Sequence, residues 1–374
     1  MNFSISSSDH HRRYAKGLLI VVFAPIFGLF LIGVYLQPLF GDLTRIGSYA
    51  ERDFGWGGSQ VEFLRPLSTF GSYDHYYDVA VLGDSFSTGR ATFHWQNYFV
   101  AKTGVSLVTL DINRVDLDAM LDGERFRLHP PQLFILQSVE RELPKRFSRK
   151  VPCREAVPSS IHPPPPQTRL PLNSRPVADL TRRVERSISW SDVKLGYVVS
   201  YLGRRLFQPP DPSVVKVELS GEAPFSSRNR HSMLVYKDDL SKVLWWKEMG
   251  LAELACRIEA TRRRVESNGK TKFLLLVAPD KLTAYEAFVA DPQLRDLSRL
   301  ASLAARMPAI MPRVDRALGA AIDSGVTDVY LPDDTHWGMA GYRIASDTIV
   351  SFVNGGGADG FGGEPAPRGN DQRR

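Results

Sequence analysis

The sequence has few of the residues that build disulfide scaffolds and zinc sites. Its 374 residues include two cysteines, Cys153 and Cys256, which form no Cys-x-x-Cys motif, and eight histidines without paired-ligand spacing. A disulfide-rich fold is therefore excluded, and we expect no metal site. The cysteines would lie in a compartment where they could pair, but their distance in the sequence favours two thiols.

Long hydrophobic runs are also lacking, with one exception near the N-terminus. The mean hydropathy of −0.19 excludes a polytopic membrane protein. Residues 17–36 are nevertheless 20 uncharged and mostly apolar residues, enough for a helix with a mild kink at Pro25 to cross a hydrocarbon core of about 30 Å. We predict an uncleaved anchor over residues 17–40. A cleaved signal peptide is the alternative, but the run is long for one and no small-residue cleavage site follows.

Basic side chains before this run predict the orientation of the anchor. His10, His11, Arg12, Arg13 and Lys16 all precede it. The positive-inside rule then places residues 1–16 in the cytoplasm and the body of the protein in the periplasm, attached to the inner membrane.

The body reads as an α/β domain over residues 41–354. Short apolar strands are predicted at 78–83, 105–110, 133–137, 272–278 and 329–331, with helices at 95–102, 244–266 and 341–353 between or after them. Near-continuous apolar strands that alternate with helices favour a parallel sheet covered on both faces. Working residues gather at the carboxyl ends of such strands.

Two segments differ from this pattern. An insertion at about residues 141–230 carries Pro152, Pro158 and four consecutive prolines at 163–166, so we expect a surface loop or a lid, with one helix at about 177–188. The tail, residues 355–374, is rich in Gly and Pro, and we predict it to be disordered.

The formal net charge of +6 is concentrated in this insertion. Residues 141–186 contain eleven Lys and Arg against four Asp and Glu, Arg182, Arg183 and Arg186 among them. The remainder is close to neutral and has no nucleic-acid recognition motif, so we expect no nucleic-acid partner. A patch for an acidic polysaccharide or an anionic lipid headgroup and a plain solvated loop both fit this charge.

Two loops carry the residues of a candidate catalytic triad. Ser85 follows the first strand, in Gly-Asp-Ser, where a strand-to-helix turn would expose its hydroxyl beside backbone N–H groups. His336 could take the serine proton, and Asp334 could hold the imidazole in the required tautomer, with Asp333 as the alternative acid. Asp84 is better explained as a favourable charge at a helix start.

These motifs resemble those of the SGNH superfamily, whose first block is Gly-Asp-Ser and whose last is an Asp-His block. The chain is most similar to the SGNH-like domain of the alginate and exopolysaccharide O-acetyltransferases. Residues 334–337 read Asp-Thr-His-Trp, and Pro279-Asp280-Lys281 with Tyr285 resembles that family's P-x-K-x-x-x-Y motif. In the alginate proteins the Asp-His block precedes the serine loop, whereas here the serine comes first.

The resemblance implies a three-layer α/β/α, flavodoxin-like sheet, no cofactor, and a Ser85 nucleophile with His336 as acid and base. Lys281, Tyr285 and Trp337 would shape the carbohydrate or acyl pocket, although Lys281 can also be read as a surface lysine. The superfamily's Gly and Asn blocks are absent here.

Two residues stand near the places of the missing blocks. Asn113 is a candidate oxyanion donor, and Arg141 could bring positive charge to the site.

Function follows from the resemblance as an expectation. The leading hypothesis is an O-acetyltransferase that acts on an envelope glycan through an acetyl-enzyme, supplied by a polytopic acyl-export protein of the membrane. A carbohydrate esterase with the same triad is the second, and a catalytically silent polysaccharide-binding or scaffold subunit is the third.

Overall fold

A five-stranded parallel sheet and one long apolar N-terminal helix define the architecture. The computed structural model describes residues 7–37, 39–147, 169–173, 176–186, 193–207 and 213–355, and within these ranges the chain is a mixed α/β protein. The predicted disorder of the tail, the proline-rich part of the insertion and Cys153 concern residues that lie outside the described ranges.

The strands and helices alternate along most of the body. The described strands are β1 (Gln60–Phe63), β2 (Thr69–Phe70), β3 (Val79–Gly83), β4 (Leu107–Asp111), β5 (Leu133–Val139), β6 (Thr181–Val184), β7 (Val214–Glu218), β8 (Ser232–Tyr236) and β9 (Lys272–Ala278). The described α-helices are α1 (Ser7–Leu36), α2 (Asp42–Gly47), α3 (Glu51–Phe54), α4 (Ser85–Thr88), α5 (Trp95–Thr103), α6 (Leu117–Asp122), α7 (Glu124–Leu128), α8 (Leu143–Phe147), α9 (Leu195–Phe207), α10 (Lys237–Met249), α11 (Leu251–Glu266), α12 (Lys281–Ala284), α13 (Leu300–Arg306), α14 (Val314–Asp323) and α15 (Met339–Val353). Short 3₁₀ turns cover Glu140–Glu142, Val177–Leu180, Glu286–Phe288 and Pro292–Leu294.

The sheet has the order β2-β4-β3-β5-β9, and all neighbouring strands in it are parallel. Four of the predicted strands are confirmed as β3, β4, β5 and β9. The chain passes from β3 to β4 on one side and then crosses to β5 on the other. Such a reversal opens a crevice at the carboxyl ends of the central strands.

Three sequence-based predictions are wrong in detail. Residues 329–331 form only an isolated bridge, Tyr330 to Trp337, and the fifth strand is instead β2 at the edge beside β4. The predicted helix 244–266 is divided into α10 and α11 at Gly250, whose φ of +73° does not continue a helix. The predicted helix 177–188 is a 3₁₀ turn followed by β6, which pairs with β1.

Apolar clusters cover both faces of the sheet. Along β3, Val79 and Val81 belong to one buried cluster, and Ala80 and Leu82 belong to the other. Residues of α5, α14 and α15 pack in the first cluster, and residues of α11 and α13 pack in the second. This alternation confirms the prediction of a sheet buried on both sides.

Helix α1 is long and apolar enough to cross a membrane. Its apolar segment, His10–Leu36, has a mean hydropathy of 2.7 over its best 18-residue window, and it continues through Pro25 without interruption. Length and composition alone do not separate a spanning helix from an N-terminal signal sequence.

Most of the described basic side chains of residues 141–186 have acidic partners. Arg186 is 13% exposed and pairs with Glu51, which is fully buried, so it is not available to a polyanion. Among the three arginines predicted to contribute to a basic patch, only Arg183 has no acidic partner within the described residues. The pairs are Arg141–Asp280, Lys145–Glu142, Arg146–Asp84, Arg182–Glu62 and Arg186–Glu51.

Cys256, in the middle of α11, is disulfide-bonded, and the described part of the chain holds no free cysteine. The preference for thiols was therefore wrong. Separation along the sequence is a poor guide here, because the fold can bring distant segments together.

Candidate active site

The serine loop joins β3 to α4 in a tight turn. Ser85 is the first residue of α4 and is exposed, while Asp84 before it caps the helix by accepting a hydrogen bond from the Phe86 N–H. A Cβ at Gly83 would lie 2.7 Å from the Gln137 side-chain oxygen and from Ser87 Cβ. Glycine therefore permits the close approach that turns the chain and presents the Ser85 hydroxyl.

Asp84 fastens this loop to the end of β5. One carboxylate oxygen accepts from Gln137 Nε2 (2.9 Å), and the other accepts from the Val139 N–H (2.7 Å) and from Arg146 (3.2 Å). The side chain is buried. Asp84 is thus a helix cap, as the sequence suggested, and it also fixes the position of Ser85 relative to the neighbouring strand.

Ser85, His336 and Asp334 form a continuous hydrogen-bonded relay. His336 Nε2 lies 2.9 Å from Ser85 Oγ, and His336 Nδ1 lies 2.6 Å from Asp334 Oδ1. The same carboxylate oxygen accepts from the His336 backbone N–H at 3.0 Å. Phe86 packs beside the imidazole, with ring centroids 4.9 Å apart. The fold thereby joins two loops that are 251 residues apart.

The electrostatics suit proton transfer from a serine. Burial lowers the pKa of His336, but the charge and hydrogen bond of Asp334 outweigh it, so the pKa stands above its ordinary value of 6.5. Burial raises the pKa of Asp334, but the facing imidazole and the backbone N–H donors hold it well below its usual range. Asp334 is therefore ionised and His336 is a stronger base than a free imidazole.

Asp334, rather than Asp333, is the acid that meets the imidazole. Asp333 is fully buried, and burial together with the adjacent Glu51 carboxyl raises its pKa well above the usual range. A neutral Asp333 would not stabilise an imidazolium ion.

Backbone N–H groups of the segment that follows α1 bind the acid loop, which is the loop of residues 331–336 that carries Asp334 and His336. The Asp42 N–H donates to Asp334 Oδ2 (3.3 Å), and the N–H groups of Leu43 (3.0 Å) and Thr44 (3.3 Å) both donate to the Asp333 carbonyl. The N-terminus of α2 therefore holds the loop that carries Asp334. Sequence reasoning missed this contact, because nothing local links residues 41–44 to a loop some 290 positions away.

Gly41→Ala is expected to disturb this contact. Gly41 has an ordinary extended φ of −82°, but a Cβ there would lie 2.0 Å from the Asp333 carbonyl oxygen and 2.4 Å from its carbon. Because the obstacle is backbone, the acid loop must move, and we expect ester turnover to fall by about 10²-fold for a displacement near 1 Å.

Gly221→Ala is the matched control, since a Cβ at Gly221 meets nothing within 4 Å. Steady-state kinetics on both variants, with circular dichroism to verify folding, give the comparison. Equal turnover in the two variants would show that the α2 contact does not position Asp334.

Lys281 lies beneath the acid loop and not on the surface. Its side chain is fully buried, and Nζ donates to the carbonyls of Leu331 (2.8 Å), Pro332 (2.8 Å) and Asp334 (3.2 Å). Burial lowers its pKa to about 8. In this position it supports the backbone of the loop instead of lining a pocket.

Lys281→Met should loosen the loop while it preserves the length of the side chain. Three buried carbonyls would lose their common donor, and we expect the free energy of unfolding to fall by about 1–3 kcal/mol, with lower ester turnover. Lys270→Met, at an exposed lysine before β9, is the control. Chemical denaturation of both variants tests this, and an unchanged midpoint for Lys281→Met contradicts it.

The two predicted aromatic pocket residues are also buried. Tyr285 stacks on Phe225 with centroids 4.6 Å apart, and its hydroxyl accepts from the Tyr330 N–H at 3.4 Å. Trp337 packs edge-on against Phe86, with centroids 5.0 Å apart. Trp337 thus packs between the two triad loops, and Tyr285 contacts Tyr330 at the start of the loop that carries Asp334 and His336.

Arg141 takes part in a buried ionic cluster. Its guanidinium donates to Asp280 (2.8 Å) and to Asp239 (3.2 Å), and these charges raise its pKa although burial opposes them. The buried Lys242 ammonium bonds to Asp280 (3.1 Å) and pairs with Glu140 (3.0 Å) in the same cluster. The Arg141 guanidinium is therefore occupied by ion pairs with neighbouring acids.

Two groups lie where donors to an oxyanion would be needed, the Ser85 N–H and Asn113. The Ser85 N–H, at the start of α4, donates to no acceptor within the described residues, so it is available to a ligand. Asn113 lies on the neighbouring loop, because Gly83 and Asp111 are in register between β3 and β4. The Asn113 backbone N–H donates to Asp111 Oδ1 (2.9 Å), and its side chain is exposed.

One group within the described residues offers three potential metal-ligand atoms. These atoms, from Asp42, Asp334 and His336, lie within 4.8 Å of one another. His336 and Asp334 already bind each other in the relay, so we retain the serine-based interpretation.

No protein-family model matches the chain, and no curated protein or solved structure matches it either. The resemblance to the SGNH proteins therefore continues to rest on the motifs and on the relay that they form.

Proposed function

We propose that this protein is a membrane-anchored SGNH-type serine acyltransferase that O-acetylates a glycan of the cell envelope. The observation that carries the proposal is the relay from Ser85 through His336 to Asp334, at the carboxyl edge of a parallel sheet. An exposed hydroxyl, a base in contact with it and an ionised acid behind the base are the parts that acyl transfer requires.

The geometry supports a two-step transfer. Ser85 Oγ attacks the acetyl carbonyl while His336 Nε2 takes the hydroxyl proton. His336 then returns this proton to the leaving group, which departs as the acetyl-serine ester forms. His336 then takes the proton of a sugar hydroxyl as that oxygen attacks the ester carbonyl. It returns this proton to Ser85 Oγ as the O-acetyl sugar departs, which regenerates the free serine. Asp334 stabilises the imidazolium in both steps, and the Ser85 N–H is placed to stabilise the oxyanion.

An esterase is the second candidate, and one observation favours it. Ser85 is exposed to solvent, and water can then compete with a sugar for the acetyl-enzyme. Only the acceptor of the second step differs between the two reactions.

The proposed location follows from α1. With the basic N-terminus in the cytoplasm, an uncleaved α1 would place the sheet in the periplasm against the inner membrane. A polytopic acyl-export protein would be the donor partner there, and an envelope glycan would be the acceptor.

The test follows the acetyl group in the full-length protein in detergent. With an activated aryl acetate, we expect intact mass analysis to find an adduct of about 42 Da, the mass of one acetyl group, on Ser85. With oligosaccharides added, O-acetyl sugar should appear. Release of free acetate alone with every acceptor would favour the esterase. No adduct and no turnover would favour a silent binding subunit.

A further inference from the structure

Helix α9 exposes an apolar stripe that the described part of the body does not cover. Leu195, Val199 and Leu206 are 41%, 58% and 73% exposed, and Phe207 at the end of the helix is 82% exposed. Positions 195, 199 and 206 are four and then seven residues apart, a spacing that places them on one face of a helix.

The adjoining face of α9, which carries Val198, packs against the end of α1. Val198 is fully buried, and a Cβ at Gly33 would lie 3.1 Å from Val198 and 2.7 Å from Val193. Glycine at position 33 thus allows the two helices to approach closely, as small residues do between membrane helices. The exposed stripe of α9 is consequently continuous with the apolar surface of α1.

The dimensions of α1 fix the depth of this contact. Residues 17–36 rise about 30 Å as a helix, which equals the hydrocarbon thickness, so the whole segment is needed to cross. Gly33 is three residues before Leu36 and would lie about 5 Å inside the apolar boundary. An amphipathic helix on a membrane surface is buried to about 5–10 Å.

We infer that α9 lies in the surface of the bilayer, in the leaflet at which α1 emerges, with its Leu195, Val199 and Leu206 stripe among the acyl chains. Exposed Lys194 and Arg205 stand beside the stripe and can reach lipid phosphates. The occupant of the stripe is lipid and not a second protein, because the stripe extends the lipid-facing surface of α1. The inference rests on the proposed anchoring of α1 and not on the proposed acyl transfer.

This placement ties the catalytic edge to the membrane. The Tyr197 hydroxyl of α9 donates to the Tyr49 carbonyl (2.5 Å), two residues after the end of α2, whose N-terminus holds the acid loop. Only residues 37–41 separate α1 from Asp42, and five residues span at most about 18 Å. The triad is therefore held near the bilayer surface from two sides.

Photocrosslinking in the full-length protein tests the inference. The photoreactive residue p-benzoylphenylalanine is placed at Val199 or Leu206, and the protein is reconstituted in phosphatidylethanolamine and phosphatidylglycerol vesicles. Leu128, 63% exposed at the end of α7, is the matched control, and Phe23, 58% exposed in α1, is the positive control. After irradiation, we expect lipid adducts at 199, 206 and 23, about tenfold more frequent than at 128.

The alternative results are distinguishable. Adducts at Phe23 but only background levels at 199 and 206, or crosslinked dimers from those two positions, would overturn the inference and leave the anchor intact. Background levels at Phe23 as well would overturn both. Turnover of a soluble aryl acetate, measured on the same samples, reports on the acyl-transfer proposal independently.

A second variant checks the apolar character of the stripe. Val199→Asp with Leu206→Asp should reduce lipid adducts from a photoreactive residue at Phe207 by about tenfold, because carboxylates resist transfer into the apolar boundary. Leu128→Asp should leave them unchanged. Aryl acetate turnover should be the same in all of these proteins, and an undiminished adduct yield in the double variant would count against the inference.

Discussion

Ser85→Ala is expected to lower the turnover of an activated aryl acetate by about 10⁶-fold, the scale seen when a triad serine is removed. The hydroxyl is exposed and 2.9 Å from His336 Nε2, so alanine removes the nucleophile and leaves the rest of the fold unstrained. The acetyl adduct should disappear with the turnover.

A control variant and a double variant test whether the loss of turnover is specific to the triad. Ser220→Ala removes another exposed serine hydroxyl, which donates to the Phe288 carbonyl, and should behave as wild type. Combining Ser85→Ala with His336→Ala should cost no more than either substitution alone, because the two residues act as a unit. Turnover of Ser85→Ala within tenfold of wild type would exclude Ser85 as the nucleophile.

Asp334→Asn should lower turnover by about 10⁴-fold with little change in stability. Asparagine has nearly the same shape but no charge, so the cation of His336 loses its stabilisation. The amide NH2 can also donate to Nδ1, which favours the wrong tautomer of the imidazole. Asp333→Asn is the matched control, because the buried Asp333 makes no bond to the imidazole and its raised pKa keeps it neutral. Equal losses in the two variants would refute the assignment of Asp334.

Asp334→Asn should also change the pH dependence of turnover. His336 acts as a base only when neutral, so kcat/KM in the wild type should rise as pH rises through a pKa above 6.5. Without the Asp334 charge, burial dominates and favours the neutral imidazole, so the acid limb should move to lower pH. Rate profiles from pH 4 to 9 would show it, and an unmoved limb would contradict the coupling of Asp334 to His336.

Local sequence patterns were sufficient to predict four strands of the sheet and the end of α5. The apolar segments that became β3, β4, β5 and β9 are continuous runs, and α5 ends at Gly104, whose φ of +72° is that of a glycine stop. Ser85 could be placed in advance at the carboxyl edge of the sheet because it directly follows β3. Its pairing with His336 was predicted from a strand at 329–331, which forms only an isolated bridge outside the sheet.

Other features depend on contacts between distant segments. The strand propensity at 181–184 matters only because β1 is there to pair with it, and the two residues of β2 are too short to give a pattern. Lys281 looks like a surface lysine until the three carbonyls around its ammonium are known. In each case a tertiary contact outweighs the local preference.

The bond between Asp42 and Asp334 joins positions 292 residues apart, and this separation has a consequence for biosynthesis. At about 5–20 residues per second, Asp334 is synthesised roughly 15–60 s after Asp42. During that interval the segment next to α1 has no partner, and the loop that carries the acid and the base is the last part of the site to be made. A chain that stalls during synthesis should therefore remain inert until nearly its entire length has been made.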